Sequence, residues 1–230
     1  MNTKEINVTK EVFCEIDPNG KDLMIDLETM GSPPFAPILE IAAVGFNKEN
    51  PSDIGPIFYR SFNLKDVVDR GYKMCPDTHE WWMEQERYKK VVAGSHDFVL
   101  SLKELDAFMN PFERVWTKSP VFDCALLRYA YKKEEIDDRW GFKKRRSFRD
   151  VRTAADRNKH WEISSVGLDK WNYQNNHHPI ADCLLQISQV YESGFFPLAN
   201  VNDLRTIEEP VSHEAIKAWG NDFYHFEQIL

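Results

Sequence analysis

The run Leu23-Met24-Ile25-Asp26-Leu27-Glu28 constrains the fold more than any other stretch of the chain. Leu23, Ile25 and Leu27 alternate with residues of the opposite face, so the run reads as a β-strand on which Asp26 and Glu28 point the same way. A strand apolar enough for the interior of a sheet that carries two carboxylates needs a partner for them, because buried charge without compensation is costly. Two carboxylates so placed suit a hard divalent cation, which prefers oxygen ligands. An Asp-x-Glu pair also occurs on ordinary surface strands, so the rest of the chain has to decide.

After the turn Gly31-Ser32-Pro33-Pro34, the apolar run Ile38 to Phe46 predicts a second strand, and Ile57 to Phe62 a third beyond the breaks Asn50-Pro51 and Gly55-Pro56. Helical patterns follow at Asp77 to Gln85, Asp97 to Met109, Pro120 to Tyr131 and Pro179 to Tyr191, with Val115 to Thr117 as a short strand among them. Three strands, then helices alternating with short strands, predict an α/β domain with a mixed sheet flanked by helices. We expect this domain over residues 20–196 and an accessory tail over 197–230, with a short helix from Ser212 to Gly220.

With 230 residues the chain is long enough for one sizeable core without disulfides. Cys14, Cys75, Cys124 and Cys183 lie far apart, lack zinc spacing, and read as reduced thiols of a cytoplasmic protein. No segment approaches the roughly 18 apolar residues that span a bilayer, so no membrane partner is expected. A net charge of −8 argues against a protein that coats duplex DNA, yet is compatible with carboxylates gathered around bound cations. The basic run Lys143-Lys144-Arg145-Arg146 reads either as a solvated turn or as a phosphate-binding strip.

Asp123 follows the Ser119-Pro120 turn at the start of a helix, where it either favours the helix dipole or faces a site. In His177-His178-Pro179-Ile180-Ala181-Asp182, Pro179 suits the first helical position and disfavours helical geometry at His178. His177 then belongs to a loop, and its side chain and that of Asp182 can converge on one pocket. His178 is the rival, four residues before Asp182.

Taken together, these residues resemble the 3'-to-5' exonucleases with four acidic residues and a histidine, the DEDDh group of ribonuclease H-like fold. Asp26-Leu27-Glu28-Thr29 looks like the first motif, Phe122-Asp123 the second, and His177 with Asp182 the third. Thr78-His79-Glu80-Trp81-Trp82 with Gln85, and Arg149-Asp150-Val151-Arg152-Thr153, are similar to the branch holding the exonuclease A proteins of T4-like phages and a bacterial exoribonuclease group. One departure is Pro179, where the family usually has Ala.

The resemblance implies a five-stranded sheet and two Mg²⁺ or Mn²⁺ ions that clamp an in-line displacement at phosphorus. Asp26 would bridge both ions, Glu28 and Asp182 would complete the site that activates water, and Asp123 would hold the second ion. His177 would act as general base, and the product would be a nucleoside 5'-monophosphate. Thr29, Met30 and Gly31 would receive the terminal nucleotide, with Met30 wedged against its base, and Phe122 would offer a stacking face or pack in the core. The implied partner is a single-stranded nucleic acid with a free 3' end, DNA first and RNA as the alternative. Host cytoplasm is the location if the chain is phage-encoded. A non-catalytic binding module and an endonuclease of the same fold are the other readings.

Overall fold

The computed structural model describes residues 22–47, 50–137, 148–155 and 177–192. The tail 197–230, the Ser212 to Gly220 helix, the basic run 143–146 and Cys14 lie outside the described residues.

Strand β1 (Asp22–Thr29) is central, and both of its faces are covered. It pairs antiparallel with β2 (Ile38–Asn47), which pairs antiparallel with β3 (Asn50–Ser61), the expected meander. On its other side β1 pairs in parallel with β4 (Arg114–Thr117), and β4 with β5 (Phe148–Asp150), giving the order β3-β2-β1-β4-β5. Strand β3 starts earlier than its sequence suggests and runs through Pro51 and Pro56. As an edge strand it tolerates a missing N–H on its outer side. The short strand β5 carries too few apolar residues to stand out in the sequence.

Helices α1 (Leu64–Asp69), α2 (Pro76–Met83), α3 (Tyr88–Val91) and α4 (Phe98–Met109) link β3 to β4. Asp97 caps α4 by accepting the Leu100 N–H at 2.7 Å, and Pro76 occupies the first turn of α2, where no donor is needed. Helix α5 (Asp123–Lys133) follows β4, α6 (Val151–Ala155) follows β5, and α7 (Pro179–Glu192) completes the described chain.

Strand alternation divides the core into two layers. Leu23, Ile25 and Leu27 face α4 and α5 through Leu102, Leu105, Leu126 and Leu127. Met24, Ala42, Val44 and Ile57 face α7 through Ile180, Cys183, Leu184 and Ile187. Burying each of the larger α7 side chains contributes about 1.5–3 kcal/mol, which fixes that helix against the face bearing Asp26 and Glu28. Among the described residues no helix is long and apolar enough to cross a membrane.

Candidate active site

Strand β4 pairs with β1 only over Asp22 to Met24, so the second half of β1 is released from it where the acidic pair stands. Ligands of open α/β sheets bind in such crevices beyond the carboxyl ends of the strands. Carboxylate oxygens of Asp26, Glu28 and Asp182 lie within 4.8 Å of one another there. Asp182 comes from the first turn of α7, which packs on that face. Asp123, in the first turn of α5, comes from the other layer near enough for its charge to act on Asp26, and its carboxylate is supported by the Thr117 side chain and by the backbone of Asp123, Ser119 and Leu27.

Burial and mutual repulsion both oppose ionisation of these groups. Asp26 is raised well above the ordinary carboxylate range by desolvation first, then by the charges of Asp182 and Asp123. Desolvation, with Asp26 and Asp182 nearby, raises Glu28 in the same way. Asp182 is pushed up to about 6 and Asp123 to about 7, in each case chiefly by burial. Lys118 and Arg87 oppose the trend at Asp182 without cancelling it. All-oxygen donors crowded until they hold protons near neutrality fit divalent cations, whose charge would replace those protons.

The two histidines separate clearly. His178 is buried, stacks on Tyr59 with ring centroids 5.5 Å apart, and its Nδ1 accepts the Ile180 N–H at 3.3 Å. Its carbonyl accepts the Asp182 N–H, so His178 serves as the entry to α7 and is spent on structure. Burial holds its imidazole down to about 3. His177 precedes it in a turn with φ of 60°, a left-handed backbone that costs a non-glycine residue about 1 kcal/mol or more. Its ring meets Trp81 edge to face, with centroids 4.7 Å apart, and is not part of the carboxylate cluster. Partial burial, then the charge of Arg87, lowers its pKa.

The terminal-nucleotide residues are placed unevenly. Thr29 is buried and donates its hydroxyl to the Gly31 carbonyl at 2.9 Å. A Cβ at Gly31 would come within 3.0 Å of the Cys75 side chain, so the close approach of that loop to α2 requires glycine. The Met30 side chain is fully buried with Leu39, Trp82 and Val91. Its backbone bonds to Pro37 and Cys75 turn it inward. Phe122 is half-buried and packs against the core beside α5.

Four residues at or beside the site escaped the sequence reading. Gln186, one turn beyond Asp182, donates to Asp26 Oδ1 at 2.7 Å. Lys118 acts on Asp26 and Asp182 through its charge. Glu40 stands directly opposite Glu28 on β2 and is buried. It is held by Arg87, whose Nη2 lies 2.9 and 3.0 Å from its two oxygens, and by the Tyr59 hydroxyl at 2.6 Å. A lone glutamate within Ile38 to Phe46, and a glutamine four residues after Asp182 on an apolar helix, were the available signals. Arg87, in the charged stretch Glu84-Gln85-Glu86-Arg87, gave none.

A mixed five-stranded sheet between helices is the ribonuclease H-like fold. Solved structures share that fold. Exonuclease I of E. coli in complex with a 5cy-dA13 oligonucleotide superposes with a TM-score of 0.53 at 16% identity, over 75% of this chain and 40% of that one. The zinc-bound form of the E. coli exonuclease I–ssDNA complex gives 0.53 at 14% identity, with the same coverages. An apo exonuclease I gives 0.52 at 16%, over 74% and 41%. The chain thus spans about two fifths of the length of these proteins. A search of the curated proteins gave no match. The model of the 3'-5' exoribonuclease Rv2179c-like domain family matches residues 21–193, and the chain belongs to that family.

Proposed function

We propose that the chain removes nucleotides one at a time from the 3' end of single-stranded RNA by two-metal hydrolysis, with Asp26, Glu28, Asp123 and Asp182 as metal ligands and His177 as general base. The observation that carries this reading is the convergence of Asp26, Glu28 and Asp182 from segments more than 150 residues apart in sequence. Asp123 completes a four-carboxylate set able to hold two Mg²⁺ or Mn²⁺ ions, which would supply positive charge for the phosphate and acidify water.

The chain's own groups do the rest. Gln186 holds Asp26 in one orientation through its 2.7 Å bond. The lowered pKa of His177 keeps its imidazole neutral at neutral pH, the form able to take the proton from the attacking water. Water adds to phosphorus, the 3' oxygen of the penultimate nucleotide leaves, and a nucleoside 5'-monophosphate is released. Thr29, Gly31 and the backbone of Met30 line the approach for the terminal nucleotide, and Phe122 flanks it. In this reading residues 20–196 form the catalytic domain and 197–230 an appendage.

The family description favours RNA. Single-stranded DNA, the substrate the sequence reading placed first, is the second reading, favoured by the DNA bound to exonuclease I. Oligonucleotides of matched sequence, labelled at the 5' end, distinguish the two. The expected result is a ladder that shortens from the 3' end, faster on RNA, in Mg²⁺ or Mn²⁺ and not with Asp26→Ala. Faster digestion of DNA would reverse the substrate assignment, and cleavage of a circular strand would defeat the exonuclease mechanism altogether.

A further inference from the structure

His177 is held by its neighbours in a backbone conformation that the sequence alone does not favour. Its φ of 60° lies in the left-handed region, and its ring packs against Trp81 in a T-shaped contact. Arg87 Nη1 donates to the His177 carbonyl, while Nη2 of the same guanidinium contacts both oxygens of Glu40. Glu40 is fixed in turn: it is buried, lies in the β1–β2 ladder opposite Glu28, and accepts the Tyr59 hydroxyl. The same Tyr59 ring stacks on His178, the next residue of the loop.

The guanidinium therefore bridges the sheet, at the level of the carboxylate cluster, to the backbone of the residue that precedes α7. A planar fork with several fixed donors can bridge two acceptors in this way, whereas an ammonium presents a single point charge. A buried ion pair is weak evidence for stability, and its best-attested use is to fix one arrangement among several.

We propose that Arg87, anchored by Glu40 and Tyr59, is a positioning residue for His177: it holds the loop so that the imidazole is presented to the carboxylate cluster. This rests on His177 being the general base. The hydrogen bonds of Arg87 go to Glu40 and to the His177 carbonyl. Apart from the charge that it exerts on Glu28 and Asp182, which Arg87→Lys retains, it acts through His177, and that part of its contribution disappears when the imidazole is absent.

The test is a double-mutant cycle measured by steady-state hydrolysis of a 5'-labelled single-stranded oligonucleotide in Mn²⁺. Arg87→Ala is expected to lower kcat about tenfold to a hundredfold with KM changed less than about threefold, the scale of a misplaced catalytic group. Arg87→Lys keeps the charge beside Glu40, and so guards folding, but loses the bridge. It should recover only part of kcat. Millimolar guanidinium should raise kcat of Arg87→Ala and leave that of Arg87→Lys unchanged. In a His177→Ala background Arg87→Lys should not slow the enzyme further.

Two failures are distinguishable. If the Arg87 effects persist in full in the His177→Ala background, Arg87 acts elsewhere and the positioning role is overturned while the base assignment stands. If His177→Ala is as active as the wild type, the base assignment fails and takes this role with it.

Discussion

The two ends of β1 treat buried carboxylates in opposite ways. At its start, Asp22 is fully buried and satisfied: Arg114 donates to both of its oxygens at 2.6 and 2.7 Å, and the Trp116 indole donates at 2.7 Å. At its far end, Asp26 and Glu28 are crowded by Asp182 and Asp123, and every neighbouring carboxylate makes ionisation harder. Asp26 accepts from the Gln186 side chain and from no other side chain among the described residues. The two acids lie on one face of one strand, four residues apart, yet one is a structural ion pair and the other belongs to a charge deficit that a cation would fill. The difference teaches that an acid in a sheet is read from its partners and not from its strand position.

Substitution at the two ends should separate activity from stability. Asp26→Asn is expected to reduce exonuclease turnover by at least about a thousandfold, because a metal ligand is lost, while leaving the metal-free protein as stable as before or more so. Asp22→Asn is expected to cost about 2–3 kcal/mol of stability, since it removes the buried charge that accepts from Arg114 and Trp116, and to leave kcat nearly unchanged. Denaturant melts and turnover assays on both variants check this. The contrast breaks if Asp22→Asn abolishes turnover in protein that is still folded.

His177→Ala should lower kcat about a hundredfold or more and leave a measurable remainder from the carboxylate cluster. In the wild type the acid limb of the kcat profile should fall below the ordinary histidine value of about 6.5, because burial and Arg87 both disfavour the imidazolium. A limb absent from His177→Ala would confirm its source. A limb that survives there would assign it to another group.

Stability against pH sharpens the same comparison with a smaller effect. Asp182 and Asp123 are pushed up to about 6 and about 7 in the fold, against about 3.9 for an unfolded Asp, so between pH 4 and 7 the native state binds more protons than the unfolded state. Stability of the metal-free protein therefore falls as pH rises through that window. In chelator the melting temperature should drop by about 5 °C, and Mn²⁺ should restore it most at the higher pH, where the carboxylates are free to bind. Asp26→Asn should flatten the slope and Asp22→Asn should not. The smallest effect is expected for Lys118→Met. Removing an exposed cation beside Asp26 and Asp182 should tighten Mn²⁺ binding by less than about tenfold, as measured by calorimetry. Weaker metal binding would give Lys118 a different role.

Much of the fold was legible because strand and helix periods are local. The alternation around Asp26, the apolar run of β2 and the helix starting at Pro179 each appear within about ten residues, and the structure places them with shifts of one or two residues. Pro51 and Pro56 misled the reading of β3 because a sequence does not announce which strand is the edge. Met30 was open for a related reason: the residue type suits a wedge as well as a core, and its packing with Leu39, Trp82 and Val91 is set by distant segments. Glu40 and Arg87 lie 47 residues apart in sequence, with no shared motif.

The sequence by itself determined which residues alternate on β1, where α7 can begin, and hence that Asp26 and Glu28 share a face and that His177 belongs to a loop. Those are consequences of backbone stereochemistry over a few residues. The tertiary structure alone decided that Asp182 and Asp123 close on that face from opposite layers, that His178 is spent on capping while His177 packs against Trp81, and that Arg87 bridges Glu40 to the loop. Desolvation and charge repulsion act through space, so their strength is set only when the packing of distant segments fixes the distances.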